Sequence, residues 1–285
     1  MTTYKVRAFA PPRRWIVSLV QYLVAGCFAL IVLIPLVTTV INGFKSNADL
    51  LLHPFGIPQT WQWDNYASVL QNASFWRQLL NSSIVMLATA LGVLVIASMA
   101  AFVFARMSFR GRDLLFNFFT LGLLFPLAVA ILPLYITLRQ INLIDSHWGV
   151  ILPQIAFGLS GNILILRSFF STLPRELEEA AAIDGCTPAS FFVRVLLPLM
   201  RPALASVAVL TMVASWNAFF LPLLVLNSEQ LYTLPLGIMQ FQGQFGTDWA
   251  RVLAFVSLAL VPTVAFYLLA ERQIIAGLTA GAVKG

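Results

Sequence analysis

"LLNSSIVMLATALGVLVIASMAAFVFA" occupies Leu79–Ala105 without one Asp, Glu, Lys or Arg. As a helix rising 1.5 Å per residue it extends about 40 Å, more than the roughly 30 Å hydrocarbon thickness of a bilayer. Its apolar residues run on continuously and do not alternate, so it reads as a membrane helix and not as a barrel strand. Five further runs share this character: Ile16–Ile41, Leu114–Thr137, Trp148–Leu166, Pro202–Leu226 and Val252–Ala270. They account for a chain of 285 residues that is 60% hydrophobic and 10% charged, with a mean hydropathy of +0.88. The expected fold class is an all-α integral membrane protein: one transmembrane domain over 1–285 with six transmembrane helices.

The first run follows Arg13 and Arg14 as a signal peptide would, but it exceeds the length of an h-region and reads as a retained anchor. Of 17 Lys and Arg residues, only Lys45, Arg77, Arg139 and Arg251 fall on one side, leaving 13 on the other. The richer side is expected to be cytoplasmic. That puts the segments 1–15, 167–201 and 271–285 inside, with both termini, and 42–78 and 227–251 outside. The pI of about 9.7 follows from this topology, and no nucleic-acid partner is expected.

All 11 acidic residues and both histidines lie outside the six runs. A secondary transporter driven by protons or sodium needs ionisable groups at mid-membrane, and a membrane-embedded enzyme needs carboxylates or metal ligands there. No GxxxxGK[ST] loop is present for ATP hydrolysis. Active transport by this chain would take its energy from a partner.

The loop Arg167–Arg201 carries the one dense acidic stretch. Pro174–Asp184 holds one Arg against Glu176, Glu178, Glu179 and Asp184. These acids favour the positive end of a helix whose body is Ala180–Ala182, and Gly185 stops it in a left-handed cap. Thr187 and Pro188 read as the N-cap and first position of a second helix, running to about Pro198. An acidic helix beside an anionic leaflet should project towards a protein.

Here the sequence resembles the EAA loop of ABC-importer permeases: Glu179, Ala180, Ala181, three residues, Gly185, nine residues, then Val195, Leu197 and Pro198. "NGFKSNADLL" (Asn42–Leu51), "SWNAFFLPLLVL" (Ser215–Leu226) and "GLTAGAVKG" (Gly277–Gly285) extend the resemblance to the second, shorter permease subunit of the maltose-type carbohydrate uptake family. That resemblance implies an ABC type I importer permease fold with a coupling helix between spans 4 and 5. Glu178, Glu179, Ala180, Ala181, Asp184, Gly185, Leu197 and Pro198 would couple the chain to the ATPase. It also implies a heterodimer with a second homologous permease, two ATP-binding cassette subunits that bind the ATP and Mg, and an extracytoplasmic sugar-binding protein. This chain would hold no cofactor and no catalytic residue, in the plasma membrane of a bacterium or archaeon. A related solute such as a glycerol phosphodiester is the alternative cargo, and a secondary transporter the alternative class.

Sugars are uncharged and rich in hydroxyls, so amides and an aromatic face inside the spans are the candidates to meet one. Those are Trp216 and Asn217, with Gln154 and Asn162. The competing expectation is that Asn217 bonds a neighbouring helix and Trp216 fills a subunit interface. In the second outer loop, Gln240, Phe241, Gln242, Gln244 and Phe245 are candidates to contact the binding protein, or form an ordinary surface anchored by Trp249.

Overall fold

The computed structural model describes residues 14–243 and 246–282. In chain order the helices are α1 (Arg14–Asn42), α2 (Asn47–Leu52), α3 (Trp63–Gln71), α4 (Ala73–Arg106), α5 (Arg112–Leu121), α6 (Leu127–Gln140), α7 (His147–Phe170), α8 (Glu176–Ile183) and α9 (Pro188–Phe191). A π-helical turn at Phe192–Leu196 leads to α10 (Leu197–Leu199), α11 (Arg201–Trp216), α12 (Phe220–Val225) and α13 (Trp249–Ala282). Short strands at Gln242–Gly243 and Gly246–Thr247 precede α13. The chain forms two compact units: one holds the chain up to Val69 with Gly243–Leu258, the other Leu70–Gln242 and the chain from Ala259.

Four helical stretches are long and apolar enough to cross a membrane: Val17–Asn42, Ala73–Arg106, His147–Phe170 and Trp249–Leu268. Two bent pairs raise the count among the described residues to six if each is one span. Arg112–Leu124 meets Leu127–Gln140 at 100°, and Pro188–Leu199 meets Arg201–Trp216 at 78°. The expected single run Leu114–Thr137 is thus broken. Phe125, ahead of Pro126, is forced out of the α region and sits extended at φ −91, ψ 106. The expected run Pro202–Leu226 likewise ends as a helix at Trp216 and resumes at Phe220.

In the first unit, Asn65 Nδ2 donates to the carbonyls of Gly43 and Lys45, each at 2.9 Å, and Tyr66 Oη to that of Val40 at 2.7 Å. Phe44 packs on Trp61, Trp63 and Tyr66, with its ring centroid 4.2 Å from that of Tyr66. Lys45 is fully buried and donates to the His53 carbonyl at 2.7 Å. The stretch Trp63–Tyr66 therefore folds the segment after α1 back onto itself by satisfying its backbone.

In the second unit α4 packs along α7 and α11. Val93, Ala97 and Ala101, spaced by four, are fully buried and meet a core containing Ile163, Leu166 and Phe170 from α7 and Val207 from α11. Small residues on this seam let the helix backbones approach closely. The reverse face of α4 exposes Leu80, Ile84, Leu87, Leu91 and Val95, as a helix facing lipid or another apolar surface requires.

The turn between α6 and α7 is fastened by Asp145. Its Oδ1 accepts from the backbone N–H of Asn227 (2.9 Å) and of Ser228 (2.8 Å), and its Oδ2 accepts from the Ser228 hydroxyl. These bonds, led by the hydroxyl, hold the carboxyl below its ordinary value of 3.8. A depressed folded value adds stability that is present above 3.8 and lost as pH falls through the folded value. Asp145→Asn is expected to lower stability near neutrality by about 1 kcal/mol, or about 2–4 °C in melting temperature. Thermal unfolding of the detergent-purified protein checks this, and the gap between wild type and variant should narrow as pH drops below 3.8.

Candidate functional site

A cavity of about 680 Å³ opens among α4, α7, α11, α12 and the start of α6. Thr89, Gln154, Asn162, Thr211, Ser215 and Asn217 supply its polar lining, and Phe157, Phe219 and Phe220 its aromatic faces. No lining residue is ionisable. Its centre of organisation is Gln154 on α7, whose Oε1 accepts from Thr89 Oγ1 on α4 (3.1 Å) and Ser215 Oγ on α11 (2.6 Å). Serine and threonine in helices ordinarily return their hydroxyl to the carbonyl four residues back. These two turn to another helix instead. Three helices meet at one amide, and Gln154 Nε2 is left buried without a partner.

Asn162, two turns along α7, donates to its own Gly158 carbonyl at 2.8 Å and approaches Thr211 Oγ1 at 3.4 Å. Asn217 donates to the Val213 carbonyl at 2.8 Å, so it bonds its own helix and not a neighbouring one. Of the four predicted path residues, Gln154, Asn162 and Asn217 line the cavity. Trp216 does not. It is buried, its Nε1 donates to Thr263 Oγ1 at 3.0 Å, and its ring meets Phe266 edge-on at 5.4 Å. It lines a separate cleft of about 40 Å³ with Met86 and Thr263. The reason is its place as the last residue of α11: Asn217 and the residues after it turn towards the cavity and leave the indole facing α13.

The loop after α7 has the expected helix, break, helix form. At the end of α8 the Cys186 N–H reaches the Ala181 carbonyl (2.8 Å) and the Gly185 N–H that of Ala182 (3.0 Å), a Schellman closure. Gly185 sits at φ +80, where a Cβ is disfavoured whatever the space around it. Thr187 Oγ1 accepts from the Ser190 N–H at 3.2 Å as N-cap of α9. The predicted second helix is not regular: Pro198 lacks an N–H and in a regular α-helix its ring would crowd the Arg194 carbonyl, and the turn at Phe192–Leu196 widens to π geometry.

Glu179, Ala180, Asp184, Gly185 and Pro198 are exposed, and Leu197 is partly buried. Ala181 is not available to a partner. It is 7% exposed and packs into the core with Phe191 and Leu196, so only its neighbours form the free surface of α8. Glu178 is partly covered as well, 3.8 Å from Arg106 Nη1. Reading the sequence did not single out Thr89, Ser215, Phe157, Phe219 or Phe220, nor Arg106.

The segment before the second outer-loop candidates is held by α4. Asn81 Nδ2 donates to the carbonyls of Gln230 (2.9 Å) and Tyr232 (3.0 Å), and Ser82 Oγ accepts from the Leu234 N–H (2.7 Å). Gln240 and Gln242 are exposed and Phe241 is partly buried. Gln244 and Phe245 lie outside the described residues.

Residues 92–274, which include the cavity-lining side chains of α7 and α11 and the whole α8 loop, match the family described as binding-protein-dependent transport system inner membrane component. The chain belongs to this family. It is 37% identical over 231 residues to the trehalose transport system permease protein SugB of Mycobacterium tuberculosis, covering 80% of this chain and 84% of that one. It is 32% identical over 259 residues to the diacetylchitobiose uptake system permease protein NgcG of Streptomyces coelicolor, with coverage of 90% and 86%. A crystal structure of a bacterial ABC transporter involved in import of the acidic polysaccharide alginate shares the fold, with a TM-score of 0.77 at 21% identity over 95% of this chain and 99% of that chain. This permease is therefore an integral membrane component of an ABC importer.

Proposed function

We propose that this permease carries a neutral sugar or short oligosaccharide through the cavity around Gln154, driven by ATPase subunits that dock on α8. The observation that carries the reading is the lining itself: amides, hydroxyls and aromatic faces with no charge. Such a surface matches a polyhydroxyl solute and offers no counter-charge to a phosphate or carboxylate. The sugars in the names of the relatives, trehalose and diacetylchitobiose, are of the same kind.

In this reading Gln154, Asn162 and Asn217 meet the solute, and Trp216 packs the wall behind them. The exposed face of α8, with Glu179, Ala180 and Asp184, enters the ATPase, and Gly185, Leu197 and Pro198 shape the loop. A second homologous permease completes the path as a heterodimer, two ATPase subunits bind ATP and Mg, and an extracytoplasmic binding protein meets the segment around Gln240–Gln242. The α8 end and both termini face the cytoplasm.

The test begins with mass spectrometry of what co-purifies with the tagged chain in mild detergent, where an ATPase and a second permease are expected. The recovered complex, with its binding protein, is then assayed for ATP-dependent uptake of a labelled neutral disaccharide. ATP-dependent uptake of a labelled glycerol phosphodiester, with none of the neutral disaccharide, would overturn the substrate class. Recovery of the chain alone, repeated after crosslinking, would overturn the assembly.

A further inference from the structure

We infer that Arg106 is the positioning residue that fastens α8 to α4, and that α4 carries a displacement of α8 to the cavity wall. The inference rests on α8 being the ATPase docking site. Arg106 is the last residue of α4, and its side chain is 4% exposed. Its Nη2 donates to the Leu173 carbonyl, ahead of α8, at 2.7 Å, and its Nη1 lies 3.8 Å from Glu178 Oε2 in the first turn of α8. One guanidinium thus grips both the approach to the helix and the helix itself.

The same α4 reaches the other working parts. Thr89, 17 residues back or about 25 Å along the axis, bonds Gln154 at the cavity. Asn81 and Ser82, roughly 12 Å further, hold the backbone at Gln230–Leu234. The seam of Val93, Ala97 and Ala101 lies between Thr89 and Arg106 and is fully buried against α7 and α11, and a close-packed interior transmits displacement instead of absorbing it. A shift of α8 therefore passes to α4 as a rigid displacement and arrives at Thr89.

A stability role explains Arg106 poorly. Its Nε is buried without a partner, and 3.8 Å is longer than a charge-assisted hydrogen bond. A buried guanidinium left partly unpaired is worse for folding than an apolar side chain of similar size. Arg167, by contrast, lies over the Phe116 ring at 3.8 Å, donates to the Phe104 carbonyl and does not reach α8. The long gap to Glu178 also leaves room for the pair to close when α8 is pushed towards α4.

The experiment uses the complete importer in proteoliposomes, reading ATP hydrolysed and neutral disaccharide taken up in the same sample. Arg106→Gln is expected to retain its ATPase subunits and hydrolyse ATP while uptake per ATP falls about tenfold. Arg106→Lys should recover part of that ratio, because a single ammonium reaches one of the two partners. Glu178→Gln, at a partly exposed position with little risk to folding, should lower uptake per ATP about threefold. A wild-type ratio in both Arg106→Gln and Glu178→Gln overturns the inference. So does loss of uptake in Arg106→Gln that matches loss of inserted chain while Glu178→Gln keeps the wild-type ratio, since that marks a structural part only. Glu179→Lys separates the two levels. Wild-type uptake there removes the docking reading itself, whereas lost uptake there with wild-type ratios in the Arg106 and Glu178 variants removes only the fastening.

Discussion

Glu179→Lys should leave the chain inserted in the membrane at wild-type level and reduce uptake by more than about tenfold, the equivalent of about 1.4 kcal/mol lost at the docking surface. The fold tolerates the change because Glu179 is exposed, lies in the first turn of α8 and makes no ion pair among the described residues. Reversing a charge at a helix N-terminus costs about 0.3–1 kcal/mol there. A partner surface feels far more. Truncating one member of a buried interfacial charge pair costs about 2–5 kcal/mol, and replacing it with the opposite charge adds repulsion. Glu178 is the comparison for docking alone: its carboxylate faces Arg106 of the same chain and not the open surface of α8, so Glu178→Gln should leave the co-purified ATPase at the wild-type level. The measurement is uptake in proteoliposomes beside the amount of ATPase subunit that co-purifies. Both should fall together, and uptake at the wild-type rate would remove α8 as the point of coupling.

The parts legible in the sequence were those where one residue type stands out against its background. Amides in an apolar run are conspicuous, so Gln154, Asn162 and Asn217 could be chosen without coordinates, and all three line the cavity. Thr89 and Ser215 are as important to its geometry, yet a hydroxyl in a membrane helix looks the same whether it bonds its own backbone or a neighbouring helix. Trp216 shows the converse. A large side chain deep in an apolar run has no sign of the direction it faces, and that direction was decided by the end of α11 at Trp216. Hydropathy also counts Leu114–Thr137 as one run, because Phe125 and Pro126 add no polar side chain to it although the path bends there by 100°. The α8 loop was the most readable, since caps and turns have local chemistry: Gly185 at φ +80 and Thr187 as N-cap follow from residue type alone. The burial of Ala181 depends on what lies beneath the helix, and Arg106 counted in sequence only as one more positive charge.

Gln154→Leu is expected to reduce uptake about tenfold, or about 1.4 kcal/mol, with the assembled importer intact. The substitution keeps the volume approximately and removes the amide on which α4, α7 and α11 converge. Stability should change little, because the two hydroxyls that lose their acceptor have another: in a helix each can turn to the carbonyl four residues back, Val85 for Thr89 and Thr211 for Ser215. Hydrogen bonds between membrane helices are worth about 0.6 kcal/mol on average, so even both together are a small part of the folding free energy. Losing the partnerless Nε2 also relieves a buried unsatisfied donor, which offsets part of that loss. A solute in the cavity has no such fallback. Where a hydroxyl met the amide it now meets a methyl group and leaves its own hydrogen bond unmade, and the penalty for an unpaired polar group falls on the passing sugar. Concentration-dependent uptake of a neutral disaccharide distinguishes the cases. A raised half-saturation concentration or a lowered maximal rate, with ATPase subunits bound at the wild-type level, places Gln154 on the path; an unchanged curve means that the sugar passes elsewhere and that the three-helix junction serves packing alone.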